Sequence, residues 1–160
     1  MLVSNSMPNP WGAKPPKSDA EYFERITRAI FTAGLNWRMI EKKWPNFRKA
    51  FSDFDLLKVA KFSDKNIRAL LGDESIVRNE KKIRATIHNA EQVLALKNEF
   101  GSFRDYLESF GKKEDKLQED LQTRFQHVGP STARMFLWSI AYPLTPNAEE
   151  KKWMSGHKHE

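Results

Sequence analysis

Apolar residues in this 160-residue chain recur every three or four positions, and no stretch alternates apolar with polar long enough to build a half-buried strand. Only five Val are present. The pattern therefore specifies an all-α fold, and Gly, Pro and short polar residues mark where each helix starts and stops. Ser18-Asp19-Ala20-Glu21 reads as a capping box that opens a helix with Tyr22, Phe23, Ile26, Ile30, Phe31 and Ala33 on its apolar face, closed by a left-handed Gly34. Asn36 caps a short second helix carrying Trp37, Ile40 and Trp44, which Pro45 is expected to end. Asp55 opens a segment to Phe62. Ser63 opens another, with Ile67, Leu70 and Leu71, that stops at Gly72.

The longest helix is expected from about Glu80 to Phe100, with Ile83, Ile87, Ala90 and Leu94 as its buried stripe and Gly101 as its stop. Ser102 to Asp105 resembles another capping box, leading a helix to Gly111, and 112–126 reads as a mixed-charge helix. Val128-Gly129-Pro130 makes a tight turn, after which Ser131 is expected to cap a helix to about Ala141, stopped by Pro143 and Pro146. The expected layout is one helical domain over 18–146, between an extended Pro-rich arm (1–17) and an extended tail (147–160).

Composition narrows the function classes. An aromatic fraction of 12%, with 11 Phe and 5 Trp, belongs to a chain with a core. With no Cys there is no disulfide, no Cys-held zinc or iron–sulfur site and no thiol nucleophile. The apolar runs are too short to span a membrane, and the first residues lack the basic and apolar regions of a signal peptide. The expectation is a soluble protein inside the cell, nucleoid-associated if bacterial. The net charge of +6 favours a polyanionic partner and is unevenly placed. Residues 38–49 hold five basic and one acidic residue, 105–120 three basic and six acidic, and 121–139 two arginines and no acid. One side is then either a phosphate-facing surface or an ordinary set of solvated helix faces.

Three local elements carry chemistry. Gln126 to Ala133 joins two helices through a Gly-bearing hairpin with a Ser/Thr-rich start to the second, which offers backbone N–H groups and a helix N-terminus to a phosphate oxygen. A glycine there lets a partner's backbone come close. The alternative is a plain turn between core helices. Phe31 to Trp37 sets a Trp at a helical junction, where it either packs in the core or stacks on an extruded base, with extra gain from a cationic one. Trp44, on the stripe of Ile40, reads more as core. Arg78, Lys81, Lys82 and Arg84 are either backbone-phosphate contacts or a basic helix start.

Trp11-Gly12, Ala33-Gly34-Leu35-Asn36-Trp37, Phe47 to Phe54, Ile76-Val77-Arg78-Asn79 with Lys82-Ile83, Asn89-Ala90 and Val128-Gly129 follow one another in a set order. That order and spacing, over about residues 8–142, resemble the DNA-3-methyladenine glycosylase I family of the helix-hairpin-helix DNA glycosylase superfamily. The resemblance implies a base pocket between two helical halves, a hairpin that grips the DNA backbone, and hydrolysis of the N-glycosidic bond of a flipped, alkylated adenine. By position Trp37 matches the base-stacking Trp and Trp11 a Trp at the pocket edge, with Asn36 lining the pocket. Gly129, Ser131 and Thr132 would hold phosphate, and Arg78, Lys81 and Lys82 would touch the backbone.

The chain departs from that pattern at defined places. The family's base-recognising Glu stands eight residues before the stacking Trp, where this chain has Ala29, so the pocket lacks that acceptor and counter-charge. The Ser6 region has no ring where the family has a Tyr. The family's zinc, held by Cys and His near the two ends, finds Met7 near one His position, while His157 and His159 fall beyond the matched region. No metal or other cofactor is expected. No catalytic residue is nominated; Glu41, one turn past Trp37, is only the nearest acid in sequence. The expected partner is damaged duplex DNA with a flipped base, bound by a monomer and away from membranes, and the substrate an alkylated purine. The alternatives are a non-catalytic helix-hairpin-helix DNA-binding module, or an interaction domain that uses the Pro-rich start and Trp153.

Overall fold

The computed structural model describes residues 14–156, and among them are nine α-helices, one 3-10 turn and no strand, the all-α fold that the periodicity predicts. In chain order these are α1 (Asp19–Thr32), α2 (Trp37–Ala50), the 3-10 turn Ser52–Phe54, α3 (Leu56–Ala60), α4 (Asp64–Leu71), α5 (Glu80–Phe100), α6 (Phe103–Glu108), α7 (Glu114–Arg124), α8 (Pro130–Ser139) and α9 (Ala148–Gly156). Most starts are capped as the sequence suggests. Ser18, Asn36, Asp55 and Ser102 each accept a backbone N–H from the first turn of their helix, and Asn79, for which no cap was expected, does the same for α5. At α1 the box is displaced by one residue, because the Glu21 carboxylate accepts from the Lys17 N–H, one residue ahead of the cap.

Two helices organise the rest. Eight of the fourteen residues of α1 are buried, and this helix packs on α2, α5, α6 and α8. α5 packs on α1, α3, α4 and α6. Rings fill the space on two sides of α1. On one, Trp44 stacks between Phe47 (centroids 4.9 Å) and Phe54 (5.4 Å), with Phe23 and Phe31 reaching in from α1. On the other, Tyr22 stacks on Phe103 at 4.7 Å, and Phe103 meets Tyr106, Phe125 and Phe136. Each fully buried ring contributes about 1.5–3 kcal/mol, so the neighbours Tyr22 and Phe23 on one helix tie two aromatic clusters together.

That packing explains where the structure departs from expectation. Pro45 does not end α2, which runs on to Ala50. Proline removes one N–H bond, but Trp44 and Phe47 on either side of it are 4% and 0% exposed, and their burial holds the turn in place. The 3-10 turn that follows has positive φ at Ser52, Asp53 and Phe54 (53°, 55° and 58°), each costing about 1–2 kcal/mol. Burial of Phe51 and Phe54 against Trp44 and Phe62 offsets it. The buried face of α5 is wider than the expected stripe and rotated from it: Lys82, Thr86, Asn89, Val93 and Leu96 are buried, whereas Ile87 and Leu94 are half-buried. α8 starts earlier than expected. Gly129 is the cap and Pro130 the first helical residue, a position that suits its fixed φ and missing N–H, so Ser131 lies inside the helix.

The tail is not extended over its whole length, since Ala148–Gly156 forms α9. Asn147 and Glu150 make a reciprocal cap, each side chain accepting the other's N–H at 2.8–2.9 Å. The Glu150 carboxylate is gripped by both arms of Arg134 on α8, which also donates to the Thr145 carbonyl at 2.8 Å. Glu114 accepts from the Thr145 N–H and hydroxyl. Burial pushes the Glu150 carboxyl up, but the bonds from Arg134 and the Asn147 N–H outweigh it and hold its pKa below the usual carboxylate value. A carboxyl depressed in the folded state adds stability above its unfolded pKa and loses it as pH falls through the folded value. Hydrogen-exchange protection of 148–156 is therefore expected to be full at neutral pH and to fall on acidification. Glu150→Gln should lower protection at neutral pH and flatten that pH dependence; unchanged protection in this variant would mean that the clasp does not hold α9.

Candidate functional site

Three polar residues, Lys82, Thr86 and Asn89, recur at helical spacing on the buried face of α5, and each has a partner. Lys82 is 8% exposed and its Nζ donates to the Ala33 carbonyl at 3.0 Å. Burial lowers its pKa, while the carbonyl end of α1 is where a cation is best placed. The Thr86 hydroxyl donates to the Lys82 carbonyl at 2.8 Å. Asn89, fully buried, donates to the Gln126 carbonyl at 3.1 Å and accepts the Gln126 N–H at 2.9 Å. α5 thus holds two loops from one face, the loop after α1 and the hairpin before α8. Seven residues separate Lys82 from Asn89, which is two turns of helix and about 10 Å of rise.

The first loop presents rings and apolar atoms. Gly34 takes φ +78°, a left-handed conformation that lets the chain leave α1 and turn into α2. Leu35 and Trp37 are then 42% and 36% exposed, while Trp44 is 4% exposed and donates its indole N–H to Glu24 at 2.7 Å. The structure thereby separates the two tryptophans, Trp37 at the surface and Trp44 in the core. The Arg38 guanidinium lies over the Trp37 ring at 5.4 Å. Asn36 is exposed, and its side-chain oxygen is committed to the Arg38 N–H at 2.8 Å. Ala29 is buried in the core cluster. The carboxylates that link α1 to α2 already have partners: Glu24 accepts from Trp44 and pairs with Arg48 at 2.8 Å, and Glu41 pairs with Arg28 at 3.9 Å. A cleft of about 470 Å³ opens over α1, but Glu21, Glu24, Arg25, Arg28, Arg48 and Asp53 line it and Trp37 does not.

The second loop presents backbone. His127 carries the left-handed residue of the hairpin, φ 62°, and Val128 is buried beneath it. Gly129 has φ −93°, and a Cβ built on it meets nothing within 4 Å, so the protein's own atoms do not require glycine there. No side chain caps α8, which leaves the N–H groups of its first turn directed past the exposed Gly129, Pro130 and Ser131. The Thr132 side chain is 6% exposed and belongs to the interior. Arg78 and Lys81 are exposed at the start of α5, whereas Lys82 points inward as the Ala33 anchor. Trp11, Met7, His157 and His159 lie outside the described residues.

The anchoring roles of Lys82 and Asn89 are not part of the sequence reading, although a signal exists. Polar residues at 82, 86 and 89 share one helix face, and a polar stripe along a helix that must be buried implies a partner for each. Among the described residues no group of three His, Asp or Glu side chains could hold a metal ion, and no helix is long and apolar enough to cross a membrane.

Known proteins resemble this chain in sequence and in fold. The methyladenine glycosylase family model matches residues 7–135. DNA-3-methyladenine glycosylase 1 of Escherichia coli is 35% identical over 125 residues, which is 78% of this chain and 65% of that protein. The DNA-3-methyladenine glycosylase of Haemophilus influenzae is 34% identical over 100 residues, 62% of this chain and 54% of that one. The chain thus spans just under two thirds and about half of these relatives. A crystal structure of a 3-methyladenine DNA glycosylase I superposes with a TM-score of 0.73 at 27% identity, covering 86% of this chain and 84% of the other. The enzyme of that name from Staphylococcus aureus gives 0.73 at 26% identity, covering 80% of this chain and 79% of its own. The ordered motifs, the helical fold and these matches agree: the chain belongs to the methyladenine glycosylase family.

Proposed function

We propose that this protein is a base-excision DNA glycosylase that hydrolyses the N-glycosidic bond of an alkylated purine resembling 3-methyladenine, with an activity or substrate range altered by Ala29. The observation that carries the reading is the double anchoring by α5. One face of one helix holds a backbone hairpin suited to phosphate and a loop with an exposed Trp about 10 Å further along. A glycosylase needs both, because the base must leave the stack while the strand stays gripped. The helical domain 18–146 carries the site, with Trp11 added from the arm before it, and the protein acts as a monomer within the cell, nucleoid-associated if the source is bacterial.

In this reading the N–H groups of Gly129, Ser131 and Thr132 take a phosphate, and Arg78 and Lys81 add charge along the backbone. Trp37 stacks on the flipped base, Asn36 and Trp11 border it, and Leu35 is an exposed apolar side chain of the kind that wedges between bases. The glycosidic electron pair leaves with the base, a water oxygen bonds to C1′, and the water's proton is lost to solvent. Methylation at N3 gives the purine a positive charge that departure neutralises, so the leaving group needs little protonation. Orientation and stacking then supply most of what the protein contributes. Ala29 and the paired state of Glu24 and Glu41 favour one second reading, a DNA-binding module without catalysis.

Release of free base from alkylated duplex DNA is the test. Base stacking on an aromatic ring is worth about 1–3 kcal/mol, so Trp37→Ala is expected to cut release by about 5- to 150-fold while undamaged DNA binds as before. Equal release by both proteins removes Trp37 from the pocket, and no release by the parent, with salt-dependent DNA binding intact, selects the second reading. Gly129→Val should still fold, because its side chain enters open space and only the cap preference of α8 is lost, yet weaken DNA binding. Asn89→Ala removes both bonds to Gln126 and should cost about 1–3 kcal/mol in urea unfolding. It should also weaken DNA binding, since the hairpin loses its anchor.

A further inference from the structure

Arg134 is the only cation of α8 and stands one turn beyond Pro130, in a stretch from Leu121 to Ser139 that has no acid. The acid it pairs with comes from α9. Its Nε and one terminal nitrogen each donate to one oxygen of Glu150, the Nε bond measuring 2.8 Å, and the terminal nitrogen also donates to the Thr145 carbonyl. A guanidinium offers this planar fork equally to a carboxylate and to a phosphate. The other arginine of the stretch, Arg124, is already paired with Asp120 at 3.1 Å and Glu99 at 3.7 Å.

The position of this fork gives it a use. A cavity of about 260 Å³ between α8 and α9 is bordered by Pro130 and Ser131 at the start of α8, by Arg134, and by Glu149 and Glu150 of α9. The guanidinium therefore opens on the same space as the outward residues of the hairpin, and α9 brings two carboxylates to it. No residue of α9 is buried, so its departure from α8 would open no core. α9 also lies beyond the residues 7–135 that the family model matches. We infer that Arg134 is a phosphate-binding residue of the hairpin surface and that Glu150 holds the phosphate's place in the free protein, so that DNA displaces α9. The inference rests on the DNA-gripping part of the proposed function and deepens it, adding a cation to that grip and an internal acid that competes for it. Exchange of Glu150 for a phosphate preserves the bonds of the fork and takes two negative charges away from the bound strand.

Hydrogen exchange of 148–156 and affinity for undamaged duplex DNA test this in the full chain. Adding DNA at low salt is expected to lower the protection of 148–156 in the parent. Glu150→Gln should bind DNA about three- to tenfold more tightly, because no carboxylate then competes for Arg134. Arg134→Gln added to Glu150→Gln should abolish that gain and reduce the dependence of log K on log salt by about 0.9, the share of one phosphate contact. Should Glu150→Gln fail to fold, Asn147→Ala removes the cap of α9 while keeping both members of the fork, and it is expected to tighten binding in the same direction. Protection of 148–156 that bound DNA leaves unchanged or raises would overturn the inference. So would a folded Glu150→Gln that binds DNA no more tightly than a parent that does bind it; both outcomes leave the glycosylase reading standing. DNA binding absent from the parent and from Glu150→Gln alike overturns both. Binding absent from the parent but present in Glu150→Gln supports the inference, with Glu150 closing the surface entirely.

Discussion

The fold depends on what happens when a central helix carries polar side chains. α5 packs on four other helices, and an unpartnered amide or ammonium within it would cost about as much as a buried ring contributes. Lys82, Thr86 and Asn89 avoid that cost by bonding to backbone, and two of them bond to the backbone of loops rather than of helices. Their satisfaction therefore fixes geometry as well as energy. Apolar contacts alone would let the loop after α1 and the hairpin before α8 slide against the core, because dispersion has little directional preference. A two-ended amide such as Asn89 permits one register only.

The same division between rigid and exposed groups separates the two tryptophans that the sequence sets seven residues apart. Trp44 is stacked between phenylalanines and tied to Glu24, so its ring has no freedom to receive a ligand. Trp37 sits on the first turn of α2, held by the Asn36 cap and anchored through Lys82 at Ala33, with its ring open to solvent. On the proposed reading, a stacking platform works best when the backbone beneath it is already ordered, since little conformational entropy remains to be lost when the base arrives. The hairpin follows the same rule, with Gln126 fixed by Asn89 and Gly129 to Ser131 left facing outward.

Much of this is legible in the sequence where local chemistry decides. The caps at Ser18, Asn36, Asp55 and Ser102 and the left-handed Gly34 follow from which side chains can accept a first-turn N–H and which residue tolerates positive φ. The readings that fail are those in which distant packing overrules local preference. Pro45 stays helical because Trp44 and Phe47 are buried on both sides of it, and Ser52 to Phe54 turn left-handed because rings at Phe51 and Phe54 gain from stacking. The α5 stripe was displaced because Lys82 and Asn89 look like surface residues until their partners, 49 and 37 positions away in the chain, come into place. α9 had a local signal, the Asn147 to Glu150 cap, but its anchor on Arg134 is tertiary.

The clasp at α9 bears on the absence of cysteine. The family resemblance implies a zinc that ties the chain ends together, and a metal bond of that kind is strong and insensitive to salt. Here the segment after α8 is held by one guanidinium shared between Glu150 and the Thr145 carbonyl, with Glu114 bonded to Thr145 from α7. Those bonds are largely shielded from solvent, with the Arg134 and Glu150 side chains 16% and 17% exposed, so they persist at ordinary ionic strength. They also place Arg134, on the helix that starts at the hairpin, against an internal carboxylate rather than toward a phosphate. The cation is therefore part of the support for α8, and on the proposed reading the hairpin's hold on phosphate rests on the uncapped N–H groups at its start.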